Sequence, residues 1–372
     1  MKQTVLFLSW KDITHPSAGG AELLTDTLAQ HLTSTYDVLY FTSAYPGAKK
    51  SEEINGYRVM RRGSQFTTHL YAILWWHLHG RALQYTYIID QVHGFPFFST
   101  LYIGHPKVIT LVMEVAGDIW DTLRSPFLRI IGKGLERLWL RLYRNNDIVT
   151  ISKSTKRELI EHRVTTSNIS IIPMFSQRIL PDIPPKSDIP TLLVVGRIAP
   201  VKQIEHAIDA YMIAKRIIPS LRLVIIGKTE QAYEAYKSFL LKKIVSDPDI
   251  TFIENASEEK KQEWMEHSHM LLMTSQKEGY GLVILEAAAC GTPTIGYRVQ
   301  GIQDAILDTS TGMLVENQQP AAMAESICEI LLHASRYTDM QKKAYEHATT
   351  HTKKQTCVAF TKTLYGTTKR TY

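Results

Sequence analysis

Short apolar runs alternate along the chain with longer segments that have the periodicity of amphipathic helices. Six runs lie in the first half, at residues 5–9, 37–42, 87–92, 108–112, 147–151 and 169–172. Five more follow at residues 191–195, 221–226, 250–253, 270–274 and 294–296. Continuous apolar runs are typical of parallel strands that helices cover on both faces, so the alternation predicts two doubly wound α/β sheets.

A proline-rich segment separates the two series. Four prolines lie between Phe175 and Pro190, and this composition is typical of a linker. We therefore predict a first Rossmann-like domain at residues 1–175, a linker at 176–190 and a second Rossmann-like domain at 191–350. A helical tail at 351–372 is predicted to return to the first domain.

The composition indicates a soluble globular protein, with 44% apolar and 21% charged residues. The apolar run at 4–10 ends in charged residues and predicts a first strand rather than a signal peptide. Three widely spaced cysteines favour a reducing compartment, so we expect a cytoplasmic protein. Most of the net charge of +6 lies in residues 1–185, which hold 20 Lys+Arg against 15 Asp+Glu. This part is expected to meet an anionic surface, and an ordinary solvated basic surface is the alternative.

Several function classes lack their motifs in this sequence. It has no Walker-type loop and no Gly-x-Gly-x-x-Gly fingerprint, which argues against ATP hydrolysis and nicotinamide chemistry. Asp247 and Asp249 form an Asp-any-Asp pattern around a proline, for which ordinary turn chemistry is the preferred interpretation. The histidine spacings do not indicate a zinc site. We expect no metal ion, no cofactor and no nucleic-acid partner.

The most informative segment reads EGYGLVILEAAACGTPTI and begins at Glu278. It predicts a glycine-containing turn, a helix from about Leu282, and then a turn and a strand. Gly279 and Gly281 permit close approach to the backbone, and the start of the helix presents free N–H groups to an anion. Glu286 is predicted to lie inside the helix, about two turns after Glu278. Taken alone, a loop glutamate and a surface glutamate would be the simpler interpretation.

A second motif, GRIAPVKQIEHAI, places Arg197 and Lys202 in a strand-to-helix connection at the start of the second domain. A forked guanidinium and a point ammonium can together clamp a diphosphate, and they can stabilise the charge on a leaving nucleoside diphosphate. The third motif, SAGGAELL, follows the first strand. Its Gly19 and Gly20 precede a helix, which is the form of a loop that approaches phosphate.

In this order, the three motifs closely resemble those of the retaining glycosyltransferases of the GT-B fold, glycosyltransferase family 4. The resemblance runs from about Leu6 to about Val315. It implies two facing Rossmann-like domains with a cleft between them, the first for the acceptor and the second for the donor nucleotide. It also implies metal-independent transfer of a sugar from a nucleoside diphosphate sugar to a hydroxyl acceptor, and the expected acceptors include a lipid-linked or polysaccharide-precursor glycan.

The resemblance gives roles to the matching residues. Arg197 and Lys202 are expected to hold the donor diphosphate, Glu286 the ribose hydroxyls, and Glu278 to approach the donor sugar. Catalysis is assigned to Glu278, Arg197 and Lys202, and donor binding to Gly19, Gly20, Arg197, Lys202, Gly279, Tyr280, Gly281, Leu282 and Glu286. Gln203 departs from the family, which usually has glycine after the lysine, and a modest effect on this loop is expected.

The first domain departs further from the family. Members commonly have a histidine that contacts the donor sugar at the end of the strand read here as VITLV, whereas this chain has Met113. Methionine cannot donate a hydrogen bond. His93 is a candidate sugar or acceptor contact, with a structural histidine as the alternative, and Glu114 and Asp118 are candidates for acceptor activation. A catalytically impaired sugar-nucleotide-binding partner and an epimerase of the same fold are the alternative functions.

Two segments of the first domain are candidates for membrane contact. One is the aromatic-rich stretch 69–89, and the other places Arg129, Lys133, Arg137 and Arg141 at four-residue spacing amid Leu, Ile and Trp. Such a stripe predicts peripheral contact with an anionic membrane at the inner face of the cell membrane. A core-packing helix with a basic solvent face is the alternative.

Overall fold

The computed structural model describes residues 2–104, 107–122 and 125–368. The chain divides into two compact units. Residues 1–173 and the segment from residue 353 form the first unit, and residues 174–352 form the second. The proline-rich stretch at 176–190 therefore belongs to the second unit.

The first unit is built on an eight-stranded sheet. Its strands are β1 (Thr4–Leu8), β2 (Asp37–Thr42), β3 (Ser51–Ile54), β4 (Tyr57–Arg61), β5 (Tyr85–Val92), β6 (Lys107–Val112), β7 (Asp147–Thr150) and β8 (Ile169–Ile171). They lie in the order β3-β4-β2-β1-β5-β6-β7-β8, and only β3 and β4 pair antiparallel. The strand order reverses between β1 and β5, and in open α/β sheets ligands bind beside such a point, at the carboxyl ends of the strands.

Four helices of the first unit precede the second sheet: α1 (Gly20–Leu32), α2 (Thr68–Leu78), α3 (Pro126–Tyr143) and α4 (Lys153–Glu161). The Ser152 hydroxyl caps α4 by accepting a hydrogen bond from the Thr155 N–H at 3.1 Å. Ser125 precedes α3, and Pro126 occupies its first turn, where a missing N–H costs nothing. These signals fix where both helices begin.

Helices α2 and α3 cover the same face of this sheet. Ile88 and Val92 are four residues apart on β5, so their side chains point to one face. Ile88 packs in a hydrophobic cluster with Trp76 of α2, and Val92 packs in a second cluster with Trp139 of α3. The outer surfaces of the two helices therefore lie on one side of the unit.

The second unit has a six-stranded parallel sheet. Its strands are β9 (Thr191–Arg197), β10 (Arg222–Lys228), β11 (Ile250–Glu254), β12 (Met270–Met273), β13 (Thr294–Tyr297) and β14 (Gly312–Val315), in the order β11-β10-β9-β12-β13-β14. Its helices are α5 (Ile204–Lys215), α6 (Glu234–Ile244), α7 (Glu258–His267), α8 (Leu282–Ala288), α9 (Ile302–Ala305), α10 (Pro320–Leu331) and α11 (Ala334–Thr349). The order reverses between β9 and β12, which makes their carboxyl ends the expected ligand position.

The last helix, α12 (Lys353–Thr368), belongs to the first unit and packs on α1. Phe360 and Leu364 of α12 are fully buried, and the Thr361 hydroxyl lies 3.2 Å from the His31 ring. Over the described ranges, none of the helices is long and apolar enough to cross a membrane.

Candidate active site

The carboxyl ends of β9 and β12 bring together three residues of the predicted site. Arg197 ends β9, Lys202 lies in the following turn, and Glu278 lies in the loop after β12. Two hydrogen bonds tie these loops together. The Thr274 hydroxyl donates to the Lys202 carbonyl at 2.8 Å, and the Gln276 N–H donates to the Val201 carbonyl at 2.9 Å. The switch point of the sheet thus positions both motifs.

Lys202 and Glu278 form an ion pair at this point. The Lys202 ammonium donates to Oε1 of Glu278, which also accepts a hydrogen bond from the Ser275 hydroxyl at 2.6 Å. Both charged side chains are mostly buried. Two donors therefore hold the Glu278 carboxylate, and the ammonium is oriented before any ligand binds.

The loop around Glu278 depends on a close backbone approach. Gly301 has a φ of +81°, and a Cβ atom on it would lie 2.2 Å from the Glu278 carbonyl oxygen. The Glu278 N–H in turn donates to the Gln300 carbonyl at 3.1 Å. Only glycine fits at position 301 without moving the Glu278 loop.

Gln203, the departure from the family pattern, occupies the left-handed region with a φ of 45°. Glycine adopts this conformation without a steric penalty, whereas a side chain with a Cβ atom does so rarely. Gln203 also precedes the first residue of α5, so the connection after Lys202 keeps a glycine-like geometry with a glutamine in it.

Arg197 is more open than Lys202. Its side chain is 54% exposed, and its guanidinium lies 3.5 Å from Oε1 of Glu230. Lys228 ends β10 and pairs with Arg197 in the strand register, so it adds a cation that the sequence motif did not predict. The site therefore has an accessible cationic rim beside the mostly buried Lys202.

Helix α8 begins at Leu282, as predicted, and carries Glu286 on its second turn. Gly281 precedes it with a φ of +81°, while Tyr280 is buried, and burial raises the pKa of its phenol. The Glu286 carboxylate lies 3.2 Å from the Lys261 ammonium and accepts a hydrogen bond from the Gln177 amide at 3.3 Å.

Lys261 was not predicted from the sequence. Burial opposes its charged form, yet the carboxylates of Glu286 and Glu258 raise the pKa of the amine above its ordinary value. It therefore stays charged and holds the Glu286 carboxylate in a fixed position. A carboxylate held in this way can accept hydrogen bonds from the hydroxyl groups of a ligand.

In the first unit, the loop at Gly19 and Gly20 follows β1 and starts α1, as predicted. The Gly19 N–H donates to Glu22 at 2.7 Å, and both glycines are exposed. The buried Glu22 carboxylate lies 3.6 Å from the Lys11 ammonium and 3.5 Å from Nδ1 of His93. Burial opposes the charged form of Glu22, but His93, Lys11 and the Gly19 amide lower its pKa to about 2.

The structure distinguishes among the other candidates of the first unit. His93 is half-buried against Glu22, an arrangement that fits a structural role and leaves part of the ring accessible. Met113 is buried, and its N–H donates to the Val92 carbonyl at 3.1 Å. Glu114 is half-buried, and the side chain of Asp118 lies outside the described residues. Glu136, a carboxylate that was not predicted from the sequence, accepts hydrogen bonds from the N–H groups of Ala116 and Gly117, which follow β6.

The Asp-any-Asp pattern has a structural explanation. The carboxylates of Asp247 and Asp249 lie 2.7 and 2.8 Å from the Lys215 ammonium. Among the residues that the structure describes, no group of three or more His, Cys, Asp or Glu side chains could hold a metal ion.

Two protein-family models match the chain in succession. The model described as Glycosyltransferase Family 4 matches residues 18–175, and that described as Glycosyl transferases group 1 matches residues 175–347. The chain is similar to a D-inositol 3-phosphate glycosyltransferase of Pseudarthrobacter chlorophenolicus, with 31% identity over 41% of this chain and 37% of the relative. A trehalose synthase of Pyrococcus horikoshii is 31% identical over 44% of this chain and 40% of the relative. The matches span about two fifths of the length of these relatives.

Solved structures show the same fold over the whole chain. A sucrose-phosphate synthase from Thermosynechococcus elongatus has a TM-score of 0.81 at 20% identity, with 100% of both chains covered. The Anabaena protein HepE, in complex with UDP-glucose, has a TM-score of 0.73 at 15% identity, covering 98% of this chain and 99% of its own. The predicted fold class, GT-B with two Rossmann-like domains, is confirmed.

Proposed function

The chain belongs to the glycosyl transferases of group 1, glycosyltransferase family 4, and we propose that it moves a sugar from a nucleoside diphosphate sugar to a hydroxyl acceptor with retention of configuration. The observation that carries this proposal is the meeting of Arg197, Lys202 and Glu278 at the switch point of the second sheet. Cations at this place suit a diphosphate, and a carboxylate beside them suits a polar sugar.

Lys202 and Arg197 would bind different parts of the leaving group. Lys202 is mostly buried and already oriented by Glu278, so it would contact a phosphate oxygen without losing much conformational entropy. Arg197 is exposed at the rim and would close on the diphosphate as it enters. Charge builds up on the diphosphate as the bond to the sugar breaks, and both cations would stabilise it more strongly in the transition state than in the ground state.

Glu286 would hold the ribose. Its carboxylate is fixed by Lys261 and Gln177, and it retains acceptor capacity for two neighbouring hydroxyl groups. Glu278 would accept hydrogen bonds from the sugar. The Anabaena protein HepE was solved in complex with UDP and with UDP-glucose, so uridine diphosphate sugars come first among the donors to be tested.

The proposed step follows a front-face route. The acceptor oxygen forms a bond to the anomeric carbon on the face from which the diphosphate leaves, and the acceptor proton passes to the departing phosphate oxygen. Arg197 and Lys202 would neutralise the diphosphate, so the proposal includes independence from metal ions. Its test is activity that survives addition of a chelator.

The proposal also covers the acceptor and the cellular location of the protein. We assign acceptor binding to the first unit and include a lipid-linked or polysaccharide-precursor glycan among the acceptors. The cysteines Cys290, Cys328 and Cys357 are free and buried, which supports a reducing, cytoplasmic setting. Peripheral contact of the first unit with an anionic membrane is also part of the proposal.

A panel of nucleotide sugars tests the proposal. The protein is incubated with each sugar nucleotide and with extracted glycans and lipids, with and without chelator, and nucleoside diphosphate release is measured by mass spectrometry. Lys202→Met serves as the impaired control. At least one donor should release nucleoside diphosphate from the wild type at a rate well above that of the control.

Met113 favours one alternative, a sugar-nucleotide-binding partner without turnover. Its buried thioether cannot donate the hydrogen bond that a histidine would supply. Calorimetry on the same panel separates the two functions. If the protein binds a donor but releases no nucleoside diphosphate with any acceptor pool, the result would favour the binding partner. If it neither binds a donor nor releases nucleoside diphosphate, the assigned site would be refuted.

A further inference from the structure

Helix α3 has three different faces. One is buried against the sheet and includes Trp139 and Tyr143. A second carries the basic residues. The third carries six large apolar side chains that remain exposed, here called the α3 stripe: Phe127, Leu128, Ile131, Leu135, Leu138 and Leu142. With 3.6 residues per turn, these six fall within an arc of about 100°, so they form one continuous surface.

Helix α2 adds to the same side of the unit. Leu70, Leu74 and Leu78 are spaced four residues apart and are 67%, 54% and 64% exposed, and Phe66 just before the helix is 83% exposed. Because α2 and α3 cover the same face of the sheet, both groups of exposed apolar residues belong to one side of the unit. We call the α3 stripe and these four residues together the apolar face. Six exposed apolar side chains within one arc of α3 differ from the scattered single residues of an ordinary surface, and they indicate an interaction surface.

A cluster of arginines lies beside the α3 stripe. Arg137, Arg141, Arg144 and Arg163 line a depression of about 750 Å³, together with His162 and Glu161. Within the described ranges, none of these four arginines forms an ion pair. The basic stripe predicted from sequence is therefore divided, because Lys133 pairs with Asp121 at 2.7 Å while Arg137 and Arg141 line the depression.

The carboxylates nearest the apolar face lie outside its two helices, because Asp121 pairs with Lys133 and Glu161 lines the depression. Helix α2 contains no Asp or Glu, and the only acidic residue of α3 is Glu136. Its buried carboxylate binds the Ala116 and Gly117 N–H groups beneath the helix. An anionic surface that approaches α3 therefore meets Arg137 and Arg141 without meeting an exposed carboxylate of that helix.

We propose that the apolar face inserts into the interface of an anionic phospholipid bilayer, with the four arginines binding lipid phosphates at its edge. Apolar side chains beside a basic edge are the arrangement that binds a helix in the plane of such an interface. A second copy of the chain fits less well, because stacking two such faces would bring arginine clusters towards each other. The proposal deepens the membrane part of the proposed function and does not require sugar transfer.

Vesicle flotation tests the apolar contribution. The wild type should float with vesicles of phosphatidylcholine and phosphatidylglycerol, and only weakly with phosphatidylcholine alone. Leu135→Glu/Leu138→Glu should lower the partition coefficient roughly 10-fold or more, since each leucine loses its apolar burial. The matched control is Ile217→Glu/Val245→Glu, which places the same charges at exposed apolar positions of the second unit.

A charge variant tests the arginine cluster. Arg137→Gln/Arg141→Gln should lower binding to anionic vesicles roughly fivefold for each residue and make the remainder less sensitive to salt. Arg216→Gln/Lys242→Gln, at exposed positions of the second unit, is the control. Nucleotide affinity should be unchanged in all variants, so a failure of this proposal is distinguishable from a failure of the donor site.

A fluorescent label tests insertion itself. The three native cysteines are buried, and burial raises the pKa of each thiol, to about 11 for Cys290. An environment-sensitive dye should therefore label Leu135→Cys selectively at neutral pH. Anionic vesicles should shift its emission to the blue, and a label at Val245→Cys should not respond.

Three outcomes would overturn the proposal. The first is that the wild type does not bind anionic vesicles. The second is that the Leu135→Glu/Leu138→Glu variant and its control lose vesicle binding equally. The third is that vesicles do not shift the emission of the label at position 135. A concentration-dependent dimer in sedimentation velocity that Leu135→Glu/Leu138→Glu abolishes, without vesicle binding by the wild type, would assign the face to a second copy instead.

Discussion

Replacement of Lys202 by methionine tests the assigned site most directly. Methionine keeps much of the apolar stem and removes only the ammonium, which in the structure donates to Glu278 and is mostly buried. The Thr274 hydroxyl binds the main-chain carbonyl of residue 202, so the backbone anchor of the loop survives. We therefore expect a folded variant with a melting temperature close to that of the wild type.

The expected loss in diphosphate binding follows from the type of contact removed. A charge-assisted hydrogen bond contributes about 1.5–3 kcal/mol, which corresponds to roughly a 10- to 100-fold weaker Kd. Arg197→Ala should lose less, because its guanidinium is 54% exposed and solvent screens its charge. Lys202→Met is therefore expected to weaken diphosphate binding more than Arg197→Ala does, because the Lys202 side chain is more buried.

Glu278→Gln should produce a different result. In this variant Lys202 loses its anionic partner, so its ammonium becomes fully available to bind phosphate. Nucleoside diphosphate without sugar should bind as tightly as to the wild type, or more tightly. Release of diphosphate from the sugar nucleotide should fall, because the carboxylate that we propose to bind the sugar is lost.

Isothermal titration with uridine, guanosine and adenosine diphosphates and the matching monophosphates measures these affinities. Lys242→Met, at an exposed position of the same unit, is the control. Monophosphates should be less affected than diphosphates by the Lys202 change. If Lys202→Met binds every diphosphate as the wild type does, the reasoning that places the diphosphate at this ammonium is refuted.

Three further predictions concern single residues of either unit. Glu286→Gln should lose its preference for ribonucleotides over deoxyribonucleotides, because the anionic acceptor held by Lys261 disappears; competition binding measures this preference, and an unchanged one would make Glu286 structural. Met113→His should alter turnover or donor choice, and it should lower the melting temperature without preventing folding, since a partly unsatisfied buried polar group costs about 1–3 kcal/mol. Scanning calorimetry measures the melting temperature, and the nucleotide-sugar panel measures turnover and donor choice. Unchanged kinetics would show that residue 113 does not contact the sugar. The carboxyl pKa of Glu22, about 2 in the folded state, gives it a stabilising contribution above its ordinary pKa that is lost as the pH falls from about 4.5 towards 2. Glu22→Gln should therefore melt well below the wild type at pH 7, and the gap should narrow over that pH range; a constant gap would contradict the linkage.

Local signals in the sequence predicted many of the strands and the start of α8. They missed the β3–β4 hairpin, although its turn is Asn55-Gly56, the dipeptide best suited to two successive positive φ angles. β3 reads Ser-Glu-Glu-Ile, and β4 mixes apolar and basic residues near a sheet edge, so a search for continuous apolar runs passes over both strands.

Other features depend on contacts between distant parts of the chain. Lys202 and Glu278 are 76 positions apart, and their motifs gave each residue a role without showing that they pair. Lys11, Lys261 and Glu136 belong to no motif, and they matter only through the carboxylates or loops that they contact. In α3, periodicity revealed an amphipathic helix, but periodicity alone cannot tell which of two apolar faces meets the core.

The C-terminal helix has a consequence for the order in which the protein folds during synthesis. Phe360 and Leu364 of α12 fill the space beside α1, and the Thr356 hydroxyl donates to the Pro173 carbonyl at 2.8 Å. The ribosome makes these residues only after all of residues 174–352. The unit that starts first is therefore completed last, and until then part of α1 stays uncovered for chaperones to bind while the second unit folds.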